Sequence, residues 1–227
     1  MSNLKTRVKH FYGSQEKHNL ELVCLQLVTE GLDEKEALEH GWLYYDNEWY
    51  QCRSTRLEIA RFKPKPLPSY CTICVIKEPT IELKRIYRDF LQIRGFRDIN
   101  NPFADNERSS YLVISDNFTP VAFTKFNHYQ GGLESQYTAW NYHNPKLSIG
   151  TKIVSCEVVY AKSMGLEYLY LGEGYELSSL YKSTLKGFQW WDGNEWSNDK
   201  EAFGELCVRD SKVKNIRDLA KLFKAER

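Results

Sequence analysis

Residues 135–173 read SQYTAWNYHNPKLSIGTKIVSCEVVYAKSMGLEYLYLGE, and their order decides the fold. Ser135 to Asn141 reads as a strand. Asn144-Pro145 is a turn, because proline fixes φ and cannot donate to a ladder. From a start near Gly150, the residues Ile153, Val154, Val158 and Ala161 share one helical face, and Gly165 stops the helix. Leu166 to Leu171 is a second strand, ended by Gly172. Upstream lie two more strands, Tyr111 to Ser115 and Val121 to Phe126, with Asp116-Asn117 turning between them. Before these, Thr80 can cap a helix carrying Leu83, Ile86, Tyr87, Phe90 and Leu91, which Gly95 ends. Downstream come a short helix over 178–186 and a Trp190 to Trp196 hairpin around Asp192-Gly193. A last amphipathic helix is expected, capped by Ser211 and running through Ile216, Leu219, Ala220 and Phe223. Helices alternating with antiparallel strands imply an α/β domain with a mixed sheet.

Further outward, residues 1–62 read as a small N-terminal α+β unit. Leu20, Leu22, Leu25 and Leu27 mark a strand. Asp33 and Glu36 form a capping-box pair before a short helix stopped by Gly41. Trp42 to Tyr45 and Glu48 to Gln51 flank Asp46-Asn47 as a hairpin. Lys63-Pro64-Lys65-Pro66-Leu67-Pro68 continues neither helix nor ladder. We therefore expect a linker over 63–79 and the main domain over 80–227.

The totals set limits. The chain has 227 residues, 42% apolar and 27% charged, which suits a globular domain with a sizeable core. A net charge of +1 argues against a broad cationic face on duplex DNA, while leaving room for a local RNA groove. No apolar run approaches a membrane span and no leader is visible, so no membrane association is expected. Six cysteines in a chain of this size read as reduced thiols, and a cytoplasmic location is expected. Cys71-x-x-Cys74 is at most half a zinc site and has no second pair, so no metal is expected. His128 and His143 stand alone.

Several residues suggest chemistry. Ser148, Gly150 and Thr151 open a helix, where free N–H groups and the dipole favour an anion; plain capping explains them equally well. Tyr168 and Tyr170 share a strand face opposite Leu169 and Leu171, which suits either a pocket wall or a core. Glu173 follows the strand end, and a carboxylate there can take a proton from an attacking ammonium or simply face solvent. Arg53 and Arg56 suit nucleic acid or an ordinary surface.

Three stretches then fall into a familiar order. Ile86-Tyr87-Arg88-Asp89-Phe90-Leu91 precedes Tyr111-Leu112-Val113-Ile114. Tyr137-Thr138-Ala139-Trp140 precedes Leu147-Ser148-Ile149-Gly150-Thr151. Tyr168-Leu169-Tyr170-Leu171-Gly172 precedes Tyr181-Lys182-Ser183-Thr184-Leu185-Lys186-Gly187-Phe188. Over roughly residues 80–197 the chain resembles the C-terminal domain of the aminoacyl-tRNA–protein transferases that add Arg or Leu to protein N-termini. The N-terminal part is distantly similar through Gly41-Trp42, Tyr50-Gln51-Cys52 and Arg53-Ser54-Thr55-Arg56.

The resemblance implies a GNAT-like fold, a mixed and mostly antiparallel sheet flanked by helices, whose central strands splay around the acyl donor. It places Gln136, Tyr137 and Trp140 on the splayed strands. Ser148, Gly150, Thr151, Tyr168, Gly172, Tyr181 and Lys182 join them as donor-binding residues, with Glu173 and Tyr170 catalytic and Arg53 and Arg56 on nucleic acid. The expected activity is transfer of an activated amino acid from aminoacyl-tRNA to an amine, with the tRNA 3′ end as partner and no tightly bound cofactor. Acetyl-CoA is the alternative donor; Lys146 to Thr151 has a single glycine, where acetyl-CoA members carry two small residues. The rivals are a CoA-dependent N-acyltransferase, a nucleobase-modifying relative, and an inactive RNA-binding module that stacks bases on its aromatics.

Overall fold

A computed structural model describes residues 7–15, 20–29, 32–45, 48–95, 101–104, 107–175 and 177–213. In chain order its elements are β1 (Arg7–Gln15), β2 (Leu20–Thr29), α1 (Glu34–Glu39), β3 (Trp42–Tyr45), β4 (Glu48–Gln51), β5 (Ser54–Glu58), β6 (Cys71–Ile76), α2 (Ile81–Arg94), β7 (Ser109–Asp116), β8 (Thr119–Tyr129), β9 (Gly132–Trp140), α3 (Ile149–Ser163), β10 (Tyr168–Glu173), α4 (Leu180–Ser183), β11 (Phe188–Trp191), β12 (Trp196–Ser197) and α5 (Lys200–Asp210). Two compact units divide the chain: one is Glu58–Leu171, the other Met1–Leu57 with Gly172–Arg227.

Within Glu58–Leu171 the strand order is β10-β9-β8-β7-β6. The β6–β7, β7–β8 and β8–β9 pairs are antiparallel, and β9–β10 is parallel. This is the expected mixed, mostly antiparallel sheet flanked by helices. The apolar stripe of α2 explains one face: Leu83, Ile86, Phe90 and Leu91 pack on Tyr111, Val113, Phe123 and Ala139. The other face receives α3, whose Glu157 meets Thr124 and Thr138, one position along from Phe123 and Ala139. The proline-rich stretch before β6 is extended and lies against α3, with Lys65 N donating to Ser155 Oγ at 3.0 Å.

In the second unit, β1-β2-β4-β3 form an antiparallel sheet, and β5, β11 and β12 pair in the order β12-β11-β5. Asp33 caps α1 by accepting from Glu36 N at 3.0 Å, as its sequence spacing predicts.

Three elements depart from the sequence reading. Arg53-Ser54-Thr55-Arg56, expected as a basic surface stretch, enters β5, where residues 54 to 57 are buried. Cys71 and Cys74 lie on a strand; an odd spacing turns their side chains to opposite faces, which is unsuited to shared chelation. The helix after the Trp hairpin is Lys200–Asp210, capped by Asp199 through Glu201 N and Ala202 N. Phe203 and Cys207 are its buried residues, a stripe too thin to read as amphipathic. The expected helix through Ile216 and Phe223 and the Asp46-Asn47 turn lie outside the described residues.

Candidate functional site

The end of the parallel ladder is the feature that the sequence order set up. β9 and β10 pair at Leu133–Leu169 and Glu134–Tyr170, and the registered ladder stops there. β9 runs on to Trp140, still paired with β8 on its other side. That antiparallel ladder shifts register where Ser135 faces Phe126 and Tyr137 faces Lys125, so Gln136 is the extra residue of a bulge. Gln136, Tyr137 and Trp140 are half-buried along this stretch. Tyr168 is half-buried and Tyr170 buried, as are Leu169 and Leu171, so β10 has neither face open over Leu169 to Leu171.

β9 leads through a 3-10 turn, Pro145–Leu147, into α3. Ser148 caps that helix in the left-handed region at φ 48°. The Thr151 hydroxyl donates to Ser148 O at 2.9 Å, so it supports the turn. Gly150 has a packing reason: a Cβ there would come within 2.8 Å of the Trp140 ring. Trp140 in turn meets Phe90 at 4.7 Å between ring centroids. The glycine therefore lets the start of α3 close onto the end of β9.

Two buried polar clusters flank this segment, and of their members the sequence reading had singled out Gln136 and Tyr137. On the α3 face, Glu157 is 1% exposed. Its Oε1 accepts from Thr124 Oγ1 at 2.6 Å, Ser135 Oγ at 3.2 Å and Thr138 Oγ1 at 3.5 Å, while Oε2 has no partner among the described residues. Burial pushes this carboxyl above the usual glutamate range, against the pull of the three hydroxyls. On the α2 face, Lys125, Asn127 and Tyr129 of β8 point the same way as Glu134 and Tyr137 of β9. There Tyr129 OH donates to Glu134 Oε2 at 2.6 Å, Asn127 Nδ2 to Tyr129 OH at 3.0 Å and Gln136 Nε2 to Glu134 Oε2 at 3.4 Å.

A pH prediction follows from Glu157. Its folded pKa lies above the unfolded value of about 4.3, so the native state holds the proton longer. The stability this group contributes is complete below about pH 4.3 and declines as pH rises toward the folded pKa. Glu157→Gln removes that decline. Its melting temperature relative to wild type should be flat below about pH 4.3 and rise as pH climbs from there toward the folded pKa. The gain should be about 2–4 °C per kcal/mol released. A difference independent of pH, read by circular dichroism, would contradict this.

The remaining sequence candidates lie in the second unit. Gly172 takes φ 69°, which suits a residue without Cβ, and its carbonyl accepts from Thr55 Oγ1 at 2.8 Å. Glu173 is half-buried. Its carbonyl accepts from Lys182 Nζ at 2.5 Å and Ser179 Oγ at 3.5 Å. Lys182 is thus buried on the strand end, whereas its neighbour Tyr181 is 53% exposed. Arg53 and Arg56 are also buried. Arg53 Nη1 meets Asp210 Oδ2 at 2.6 Å and Gly174 O at 3.1 Å. Arg56 Nε donates to Gln189 Oε1 at 2.7 Å, and its guanidinium lies 4.0 Å from the Trp196 ring centroid.

No group of three or more His, Cys, Asp or Glu side chains suited to a metal occurs among the described residues. Among them, too, no helix is long and apolar enough to cross a membrane.

A scan against protein-family models and a search of curated proteins returned no match. Among solved structures, the chain is similar to the C-terminal domain of a putative lysylphosphatidylglycerol synthetase from Agrobacterium fabrum, at 12% identity over 54% of this chain and 46% of that one, TM-score 0.42. It is similar to L-PGS from Bacillus licheniformis, at 12% identity over 74% and 71%, TM-score 0.41. It is also similar to a GCN5-related N-acetyltransferase from Kribbella flavida, at 13% identity over 54% and 48%, TM-score 0.40. The chain spans about half the length of the first and last of these. With TM-scores of 0.42 and below, these likenesses establish neither family nor activity.

Proposed function

We propose that the protein is an acyl-type transferase that moves an activated amino acid from aminoacyl-tRNA to an amine. The observation that carries this reading is the two-pair β9–β10 ladder. Beyond it, one edge of β9 is no longer in register with β10, and the strand leads directly to the start of α3. A strand edge outside its ladder offers N–H and C=O groups to a bound acyl chain, and a helix start favours negative charge. Chemically, the amine nitrogen attacks the ester carbonyl. The C–N bond forms, the ester C–O bond breaks, and the ribose hydroxyl leaves with a proton. The ester is already activated, so the protein's task is orientation and stabilisation of the oxyanion.

The preference for an aminoacyl donor over acetyl-CoA rests on the turn before α3. A coenzyme pyrophosphate needs close backbone approach, and the single glycine there, Gly150, faces Trp140. The test is transfer of label from tRNA charged with one radioactive amino acid to a mixture of amine acceptors, alongside thiol release from acetyl-CoA. Label in an amide product supports the reading. Thiol release with the aminoacyl ester left intact replaces it with a CoA-dependent acyltransferase.

A further inference from the structure

The polar cluster on the α2 face of β8 and β9 holds a buried cation and a buried anion side by side. Lys125 is 4% exposed. Its ammonium lies 5.9 Å from the Tyr137 ring centroid and within the influence of the Glu134 charge. A buried ammonium ordinarily takes two or three oxygen acceptors, because burial without them costs several kcal/mol. On the same face Ser109, register partner of Asn127, has a buried Oγ with no partner among the described residues. Buried polar atoms left in this state are rare in folded proteins and call for a ligand, water or ion. Glu134 belongs to the last pair of the β9–β10 ladder, and Gln136 is the bulge beside it. The cluster therefore stands where β9 leaves the ladder.

We propose that this cluster seats the aminoacyl group of the donor, with Lys125 donating to the ester carbonyl oxygen and Glu134 carrying the free α-ammonium. Gln136 and Tyr137, half-buried, form its rim. The inference rests on the acyl-transfer reading and assigns the donor's carbonyl and α-ammonium to named side chains. An acetyl group has no cation for Glu134, and a phosphate placed here would be repelled by that carboxylate. Burial holds the Lys125 ammonium below lysine's ordinary pKa while Glu134 opposes the shift, as fits a cation that gains an oxygen ligand on binding.

The experiment is calorimetric titration with a panel of 3′-aminoacylamido-adenosines, each paired with its N-acetyl counterpart. Both carry the carbonyl, and one has the ammonium. We expect the free-amine member of the best pair to bind about 10- to 100-fold more tightly. Glu134→Gln should bring that ratio close to one and leave the N-acetyl member unchanged. Lys125→Met should weaken both members alike. Equal binding within every pair, a ratio that survives Glu134→Gln, or no binding at millimolar concentration overturns the inference. If a variant fails to fold by circular dichroism, the wild-type ratio decides alone. The transferase reading fails separately: thiol release from acetyl-CoA without discrimination in the panel keeps the enzyme and removes the ammonium site. Discrimination without transfer of labelled amino acid does the reverse.

Discussion

Glu173→Gln is expected to lower turnover about 100- to 10,000-fold while leaving donor affinity nearly unchanged. An amine is an ammonium at neutral pH and must lose a proton before it attacks an ester. A carboxylate at the end of β10 can take that proton; an amide of the same shape cannot. Position matters as much as chemistry for such a base. The backbone beneath Glu173 is tied at consecutive carbonyls, Gly172 O by Thr55 Oγ1 at 2.8 Å and Glu173 O by Lys182 Nζ at 2.5 Å. Buried Lys182 thus serves as a positioning residue in this scheme, and its loss should act on turnover before donor affinity. Single-turnover transfer and filter binding on wild type and Glu173→Gln are the measurements. Full activity in Glu173→Gln would eliminate it as the base and send the proton to water or the donor's ribose hydroxyl.

Arg53→Met should destabilise the fold by about 3–5 kcal/mol, the usual consequence of removing one partner of a buried ion pair. Both side chains of the Arg53–Asp210 pair are 9% exposed, with 2.6 Å between Nη1 and Oδ2. The guanidinium also donates to Gly174 O at 3.1 Å and lies 4.7 Å from the Tyr175 ring centroid. Its removal leaves Asp210 with the more exposed Arg209, whose Nε sits 3.1 Å away, and that contact pulls the cost toward the lower end. Adding Asp210→Asn should recover part of the loss, because the uncompensated charge disappears. Urea unfolding midpoints of the two single variants and the double variant measure the coupling. A loss under about 1 kcal/mol for Arg53→Met would place this pair with the weak surface bridges.

Much of the framework was legible because it obeys local periods. The helix α2 follows from Leu83, Ile86, Phe90 and Leu91, and Gly95 ends it in the left-handed region. The strand–helix–strand passage from β9 to β10 needed only the Asn144-Pro145 turn, the face of Ile153 and Val158, and Gly165. Lys125 and Glu157 were less legible. Lys125 sits between Thr124 and Phe126 and shares its strand face with Asn127, as a solvated position would, and Glu157 reads as one polar residue on an amphipathic helix. Their burial depends on which strands and helices cover them.

By itself, then, the sequence determined the succession of elements from α2 to β10 and the mixed sheet, because both follow from side-chain periodicity and backbone stereochemistry within short spans. Tertiary structure alone decided that β5 pairs with β11, joining Leu57 to Phe188, and that Arg53 meets Asp210. It also decided that Lys125 and Glu134 share a buried face. Pairing across long separations depends on the summed burial of whole faces, and no local pattern encodes which distant partner completes them.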